Sequence, residues 1–407
     1  MKYSIYPIIA GLTLALAILL PRSAKFLTSQ REAMPIVAYS HVTHELGIAD
    51  YRDKEYPLSD KRGRRYTMAE FDTLYPLLNF RQLMAEGRMP DSIEGREATM
   101  RNIAMSQNFM LLSPTTTPAK DCGLHLLFES TPVRVGLTVP PDVMEIDDRV
   151  RLWDDSTLEE DETKGATYTE ALSRAGFRFP AVGAWGDDNM RKRYDEGFLV
   201  IDADSGLFHM KMVNGRAFVR RIEMPEGFKV AMAPVLEPAD RSLYGIAVSG
   251  DGRLCLIGAG AEGGYETRLM PTPHIDVTKN RIRITSDMVS WVVSSHSAES
   301  MWAVAMSRDS LKVLDTIAVE KTRDQTMAAT VCENLFAWSI EGKWSEPGRT
   351  RPAIVAGSEV AWIVNIALAL MYYVVRGRRD GKRGIGESIY IILTGIYGII
   401  SIIFVPK

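Results

Sequence analysis

Two long apolar runs around a basic turn close this chain. Ala353 to Val375 is followed by Arg376-Gly-Arg-Arg-Asp-Gly-Lys-Arg383, and then by Ile385 to Val405. A hydrocarbon core of about 30 Å is crossed by roughly 20 helical residues at 1.5 Å each. The pattern therefore predicts a transmembrane helical hairpin over residues 351–407. Short loops rich in Lys and Arg stay in the cytoplasm, which places the turn inside and the preceding chain outside. Glu359 falls about one turn into the first run, and Asn365 nearer its centre. A polar side chain in a span faces a partner, so Asn365 is a candidate for helix–helix contact. Gly395 and Gly398 allow close approach there, without the strict G-x-x-x-G spacing.

A third apolar segment, Ser4 to Leu20, follows Lys2. Arg22 stands where a signal peptidase needs a small residue, so residues 1–29 read as a retained anchor. Arg22, Lys25 and Arg31 beyond it argue for the opposite orientation, and the basic turn after Val375 is the stronger signal. The chain then reads N-terminus inside, large domain outside, turn inside and C-terminus outside.

The net charge of −3 over 407 residues leaves no electrostatic footprint for nucleic acid. Cys122, Cys255 and Cys332 lack C-x-x-C spacing and read as buried small residues, with one bridge plus a free thiol as the alternative. Asp154 to Glu162 reads as a solvated acidic loop.

Residues 30–120 are expected to be helical. Thr67-Met-Ala-Glu70 is a capping box, Pro76 should kink or split the helix that follows, and Gly87 with Pro90 should end it. A second helix is expected over Ile93 to Leu112. Residues 121–350 read as a meander-rich β domain. Strands are expected at Leu124–Phe128 and Val133–Val139, and then regularly after Gly197. Asn214-Gly215 between Leu207–Val213 and Arg216–Ile222 is a strong hairpin signal. Strand starts near Leu207, Leu254 and Met301 recur at two steps of 47 residues (254 − 207 and 301 − 254). That interval is near the roughly 40–50 residues of a propeller blade, with Leu335 to Trp344 as a fourth partial unit. The fold class is thus an α+β membrane protein with a propeller-like sheet array.

The densest polar cluster is Asp187 to Gly197. Arg191 and Arg193 offer guanidinium forks for a carboxylate or phosphate, with Tyr194 and Asp195 beside them. The plainer reading is a solvated loop tied by its own ion pairs. Arg81 and Asp91 are candidate partner-binding residues of the helical region. His41 and His44 lack a third ligand in sequence and do not make a metal site. Gly258 to Gly264 lies between strands, which excludes a dinucleotide fingerprint. No nucleophile elbow, P-loop or zinc-protease motif appears, and no catalytic residue or cofactor is assigned.

The stretches Tyr66 to Leu83, Gly87 to Ile93, Gly176 to Ala181, Arg191 to Gly197 and Gly206 to Lys211 resemble an uncharacterised family of bacterial envelope proteins, a domain of unknown function. The likeness covers roughly Tyr56 to Val319. It implies companionship with the permease and ATPase of an ABC transporter, and it supplies no site residues. The expected function is a non-catalytic accessory or docking subunit of such a complex in the bacterial cytoplasmic membrane. An envelope ligand-binding sensor and an envelope enzyme using the Asp187–Glu196 loop are the alternatives.

Overall fold

A computed structural model describes residues 5–28, 34–51, 53–114, 123–132, 136–297, 300–320, 327–346, 349–378 and 381–405. The chain divides into two compact units, Ala33–Lys321 and the pair of segments Met1–Glu32 with Thr322–Lys407.

The larger unit is built from antiparallel sheets. The first is a meander of Ile36–Tyr39, Leu46–Ala49, Leu58–Asp60 and Arg65–Tyr66. The second has three strands, His125–Leu126, Asp142–Ile146 and Val150–Asp154, with the helix Glu162–Arg174 packed on it. The third joins Gly183–Trp185, Phe198–Ile201, Leu207–Val213 and Arg216–Ile222. The fourth joins Val230–Met232, Leu243–Ser249, Leu254–Ala259 and Tyr265–Leu269. The fifth runs Arg281–Ser286, Ser290–His296, Ser300–Ser307 and Val313–Glu320, and gains Asn108–Leu112 beside its first strand.

Hydrophobic burial stacks these sheets in a row. Leu152, Tyr168 and Phe208 join the second sheet to the third, and Ile201, Ala247 and Ile257 join the third to the fourth. Ile246, Leu256, Ile284 and Val304 join the fourth to the fifth, and Val37, Leu46 and Ala303 join the fifth to the first. A strand with a sheet on each face has no face open to solvent. Phe198–Ile201 and Ser290–His296 are accordingly buried at every residue, whereas the last strand, Val313–Glu320, is mostly exposed.

The 47-residue recurrence marks real units, but of four strands. Leu207, Leu254 and Ser300 open or nearly open the third strand of consecutive sheets. The short opening strands Gly183–Trp185 and Val230–Met232 carry too few residues to show alternation. Asn214 and Gly215 turn with φ of 50° and 70°, as their pairing signal requires.

Residues 30–120 are not a helical region. Their described residues hold short helices among seven strands. The capping box forms, with Thr67 accepting from the Glu70 amide, and Pro76 separates Met68–Leu74 from Phe80–Ala85. The helix expected over Ile93–Leu112 is instead a hairpin, a helix Met100–Ser106 and the strand Asn108–Leu112. Glu94 and Gly95 at positive φ make the turn, and alternating burial of Asn108, Met110 and Leu112 gives the strand its period of two. Of Leu124–Phe128 only His125–Leu126 is a strand. Val133–Val139 lies partly outside the described residues, and its described part carries no strand. The end of the acidic stretch leads into a helix, because Asp161 caps Glu162–Arg174 by accepting from the Lys164 amide.

In the smaller unit, among the described residues Trp338–Glu346 pairs only with Arg349–Ala356, so the expected fourth partial unit is a two-stranded hairpin. That strand takes the start of the first apolar run. The helix begins at Glu359, capped by Ser358, and Glu359 is its first residue rather than one turn inside it. The second run is broken at Gly395 into Lys382–Thr394 and Ile396–Phe404. Among the described residues, two helices are long and apolar enough to cross a membrane, Tyr6–Thr28 and Glu359–Arg376. Thr13 of the first helix donates to Ser401 at 2.8 Å and accepts from Tyr390 at 2.8 Å.

Candidate functional site

The loop before Phe198 is the polar centre of the larger unit. Gly197 has φ of 70°, and a Cβ there would lie 2.3 Å from the Met210 carbonyl oxygen. Glycine thus lets Asp195 and Glu196 press against the strand Leu207–Val213. The Asp195 carboxylate accepts from the Gly197 amide at 2.9 Å and from Ser130 at 3.4 Å. Lys192 is the cation of this cluster. Its Nζ lies 2.6 Å from Asp195 Oδ1 and 3.0 Å from Glu237 Oε1. Glu237 Oε1 also accepts from the Glu196 amide at 2.7 Å, while its Oε2 is buried without a partner among the described residues. Burial pushes the Glu237 carboxyl up to about 7. Burial also raises Asp195, against the pull of Lys192. For Lys192 burial works the other way, but the two carboxylates outweigh it and hold the ammonium above its ordinary range.

On the other side of Glu196, Lys211 Nζ sits 2.6 Å from Glu196 Oε2. His209 Nε2 bonds the Glu196 carbonyl oxygen, and a carbonyl only accepts. The imidazole proton is therefore on Nε2, and Nδ1 accepts from the Tyr265 hydroxyl at 2.7 Å. Burial lowers His209 to about 4, so the ring is neutral at pH 7. Burial raises the Tyr265 phenol above its ordinary value. Tyr244 meets Tyr265 edge to face at 5.1 Å. These groups, with Phe218 and Arg241, line a cleft of about 300 Å³ between the third and fourth sheets. Gly263 also lines the cleft, and Arg220 donates to its carbonyl at 2.7 Å. The glycine-rich stretch Gly258–Gly264 does run from strand to strand, and Gly263 in it reaches the cleft.

Of the residues singled out in sequence, Asp195 and Tyr194 are buried in this cluster, and Tyr194 donates to the Pro238 carbonyl. Arg191 and Arg193 are exposed and have no ion pair among the described residues; the inward cation is Lys192 between them. The loop is therefore not simply solvated. Arg81 is exposed, with its guanidinium 5.7 Å from the Phe80 ring. Asp91 is exposed at the start of the small hairpin, where its carbonyl accepts from the Ala98 amide. Neither lies at the cleft. In the smaller unit Asn365 Nδ2 donates to the Ile392 carbonyl at 3.2 Å. Gly395 has φ of 58°, and a Cβ there would lie 2.2 Å from Asn365 Oδ1. A Cβ on Gly398 would meet Thr394 Oγ1, one turn back in the chain. Cys255 is buried and Cys332 half-buried, both as free thiols, and Cys122 lies outside the described residues.

His41 is also buried, with Nδ1 3.0 Å from Glu94 and Nε2 3.4 Å from Asp287. Burial disfavours the imidazolium, but Asp287 and then Glu94 outweigh it and raise the pKa. Among the described residues no group of three or more His, Cys, Asp or Glu is placed to hold a metal ion.

The larger unit is thus an array of stacked antiparallel sheets with a polar, aromatic-walled cleft between two of them. The chain belongs to the family described as Domain of unknown function (DUF4857), whose model matches residues 36–306. No curated protein matches it. Among solved structures, the Dos1 propeller is similar at 14% identity over 46% of this chain and 45% of that one, with a TM-score of 0.25. The dihydro-heme d1 dehydrogenase NirN in complex with DHE is similar at 10% identity over 84% of this chain and 79% of that one, with a TM-score of 0.24. At those scores the architecture described above rests on this chain's own strand pairing.

Proposed function

We propose that this chain is a membrane-anchored binding protein whose sheet domain recognises a ligand in the Glu196–Tyr265 cleft. The observation that carries this reading is the convergence of five buried or half-buried polar groups on one concave site. Asp195, Glu196, His209, Lys211 and Tyr265 come from two sheets and an ordering loop; Glu196, His209, Lys211 and Tyr265 are tied to one another, and Asp195 is held by Lys192 and the Gly197 amide. Polar groups arranged in this way are preorganised, which lowers the entropy cost of binding. The chemistry also favours binding over turnover. His209 is neutral, and its one free nitrogen already holds the Tyr265 proton, so it is a poor base near pH 7.

In this proposal the sheets form a propeller-like array. Its support is the run of four-stranded units whose central strands are buried and whose last strands are exposed. Tyr6–Thr28 and Glu359–Arg376 are the anchor in a bacterial cytoplasmic membrane, with the sheet domain on the extracytoplasmic side. An accessory role beside a permease and a separate ATPase is a second proposal. The exposed Trp362, Ile363, Ile366 and Leu370 of the anchor helix would then meet lipid or a permease helix.

The test is to purify the full chain in lipid nanodiscs and release bound small molecules for mass spectrometry. A species that accompanies the wild type and is depleted at least tenfold in Tyr265→Phe supports the reading. Identical small-molecule profiles in the two proteins overturn it.

A further inference from the structure

We infer that the cleft takes a neutral saccharide of one or two rings, an inference that rests on the binding role proposed above. The first ground is charge. Lys211 is committed to Glu196 at 2.6 Å, and Lys192 lies between Asp195 and Glu237. Inside the cleft, away from Arg241 at its rim, an ionic ligand would have to break one of these buried pairs, and leaving a buried charge unpaired is costly. A neutral ligand leaves the pairs in place and uses their remaining lone pairs and protons.

The second ground is the mix of donors and acceptors. A sugar hydroxyl both gives and takes a hydrogen bond. The Glu196 and Asp195 carboxylates accept, and the Lys211 ammonium donates. The Tyr265 hydroxyl has spent its proton on His209 Nδ1 and keeps an acceptor lone pair. The Tyr244 hydroxyl, half-buried at the cleft, has no hydrogen-bond partner among the described residues and serves as donor or acceptor.

The third ground is shape and surface. The rings of Tyr244, Tyr265 and Phe218 are half-buried around these polar groups. An aromatic face beside fixed hydrogen-bonding groups suits a ring with one C–H face and an edge of hydroxyls. The volume of about 300 Å³ stands at the low end of the roughly 300–1,000 Å³ usual for ligand sites, which favours one or two sugar rings over a long chain. The competing cue is Arg241, exposed at the cleft with its guanidinium 4.3 Å from the Tyr194 ring centre. It is a single rim cation stacked on a ring, and no second cation free of a carboxylate joins it among the residues lining the cleft.

The experiment uses the full chain in nanodiscs, because glycoside detergents would occupy the site. Saturation-transfer NMR is run with glucose, galactose, N-acetylglucosamine, maltose and cellobiose, with inorganic phosphate and citrate as anions, and with choline as cation. Phosphate and choline are read through Tyr and Trp fluorescence as well. The expected result is transfer to the ring protons of at least one saccharide, weakened at least fivefold in Tyr244→Phe and tenfold in Glu196→Gln. The Tyr244→Phe variant removes one hydroxyl and keeps the packing, so its loss reports the site and not unfolding. Binding of phosphate, citrate or choline, weakened by those substitutions while no saccharide binds, overturns the saccharide and leaves the binding role standing. Saccharide binding indifferent to both substitutions overturns the assignment to this cleft. Absence of binding by every probe overturns the inferred ligand class, and the depletion experiment with Tyr265→Phe then decides the binding role separately.

Discussion

Glu237→Gln should change the pH dependence of stability in a direction fixed by where the carboxyl sits. Glu237 moves from an ordinary 4.5 to about 7 on folding because it is buried with one oxygen unpartnered. Between those values the folded state holds the proton more often than the unfolded state, so stability falls as pH rises through that window. At about 1.36 kcal/mol per unit the full effect is about 3 kcal/mol, and solvent screening reduces it to about 2 kcal/mol. His209 acts oppositely. Its folded value is about 4 against 6.5 unfolded, so it adds stability that is present above pH 6.5 and lost as pH falls through 4. The two nearly cancel in the wild type between pH 4.5 and 6.5. Glutamine keeps an oxygen for Lys192 and for the Glu196 amide, and removes the titration together with the charge the carboxylate carries when ionised. Thermal unfolding followed by tryptophan fluorescence should therefore show the variant gaining about 2 kcal/mol on the wild type between pH 4.5 and 7.5. For a domain of this size that is about 4 °C in Tm. Parallel profiles across that range would refute the reasoning, because they would mean that the Glu237 carboxyl titrates as if solvated.

The other predictions test neighbouring contacts. Lys192→Met strands Asp195 and Glu237 without their cation and should cost about 3–5 kcal/mol in urea unfolding at pH 8, with a smaller loss at pH 5 where the carboxyls take up protons. Gly197→Ala should destabilise by at least about 2 kcal/mol, since φ of 70° strains an L residue and its Cβ meets the Met210 oxygen, as a Tm scan would show. Gly395→Ala should loosen the apolar helices at the Asn365 contact and raise protease sensitivity between residues 381 and 405, whereas Gly386→Ala, with open space around it, should not.

Much of the sheet domain was legible. The meander from Phe198 to Ile222 carries long alternating or apolar runs and an Asn-Gly turn, and its strands fall where the sequence puts them. The short opening strands were not legible, since Gly183–Trp185 takes its pairing from Phe198–Ile201 and not from its own residues. Ile93–Leu112 misled because its apolar residues fit both periods, and the turn at Glu94-Gly95 was the missed signal. In the candidate site, the polar density of Asp187–Gly197 is visible in the sequence, but nothing local distinguishes Lys192 from the guanidinium groups beside it. Which cation turns inward depends on Glu237, 45 residues away, and no local pattern carries that. Tyr244, Tyr265 and His209 were equally silent, because tyrosine and histidine in a strand look the same whether they line a cleft or a core. At the C-terminus the apolar composition was clear, and the break at Gly395 was hidden within it.

The central claim, a binding domain held outside by membrane helices, is tested most directly by cysteine labelling in intact cells. In a chain freed of its native cysteines, Asp204→Cys on the sheet domain and Arg378→Cys in the basic turn, both at exposed positions, are offered a membrane-impermeant maleimide. The account predicts that the first labels in intact spheroplasts and the second only after permeabilisation. Labelling of Arg378→Cys in intact spheroplasts, with Asp204→Cys protected, would contradict it.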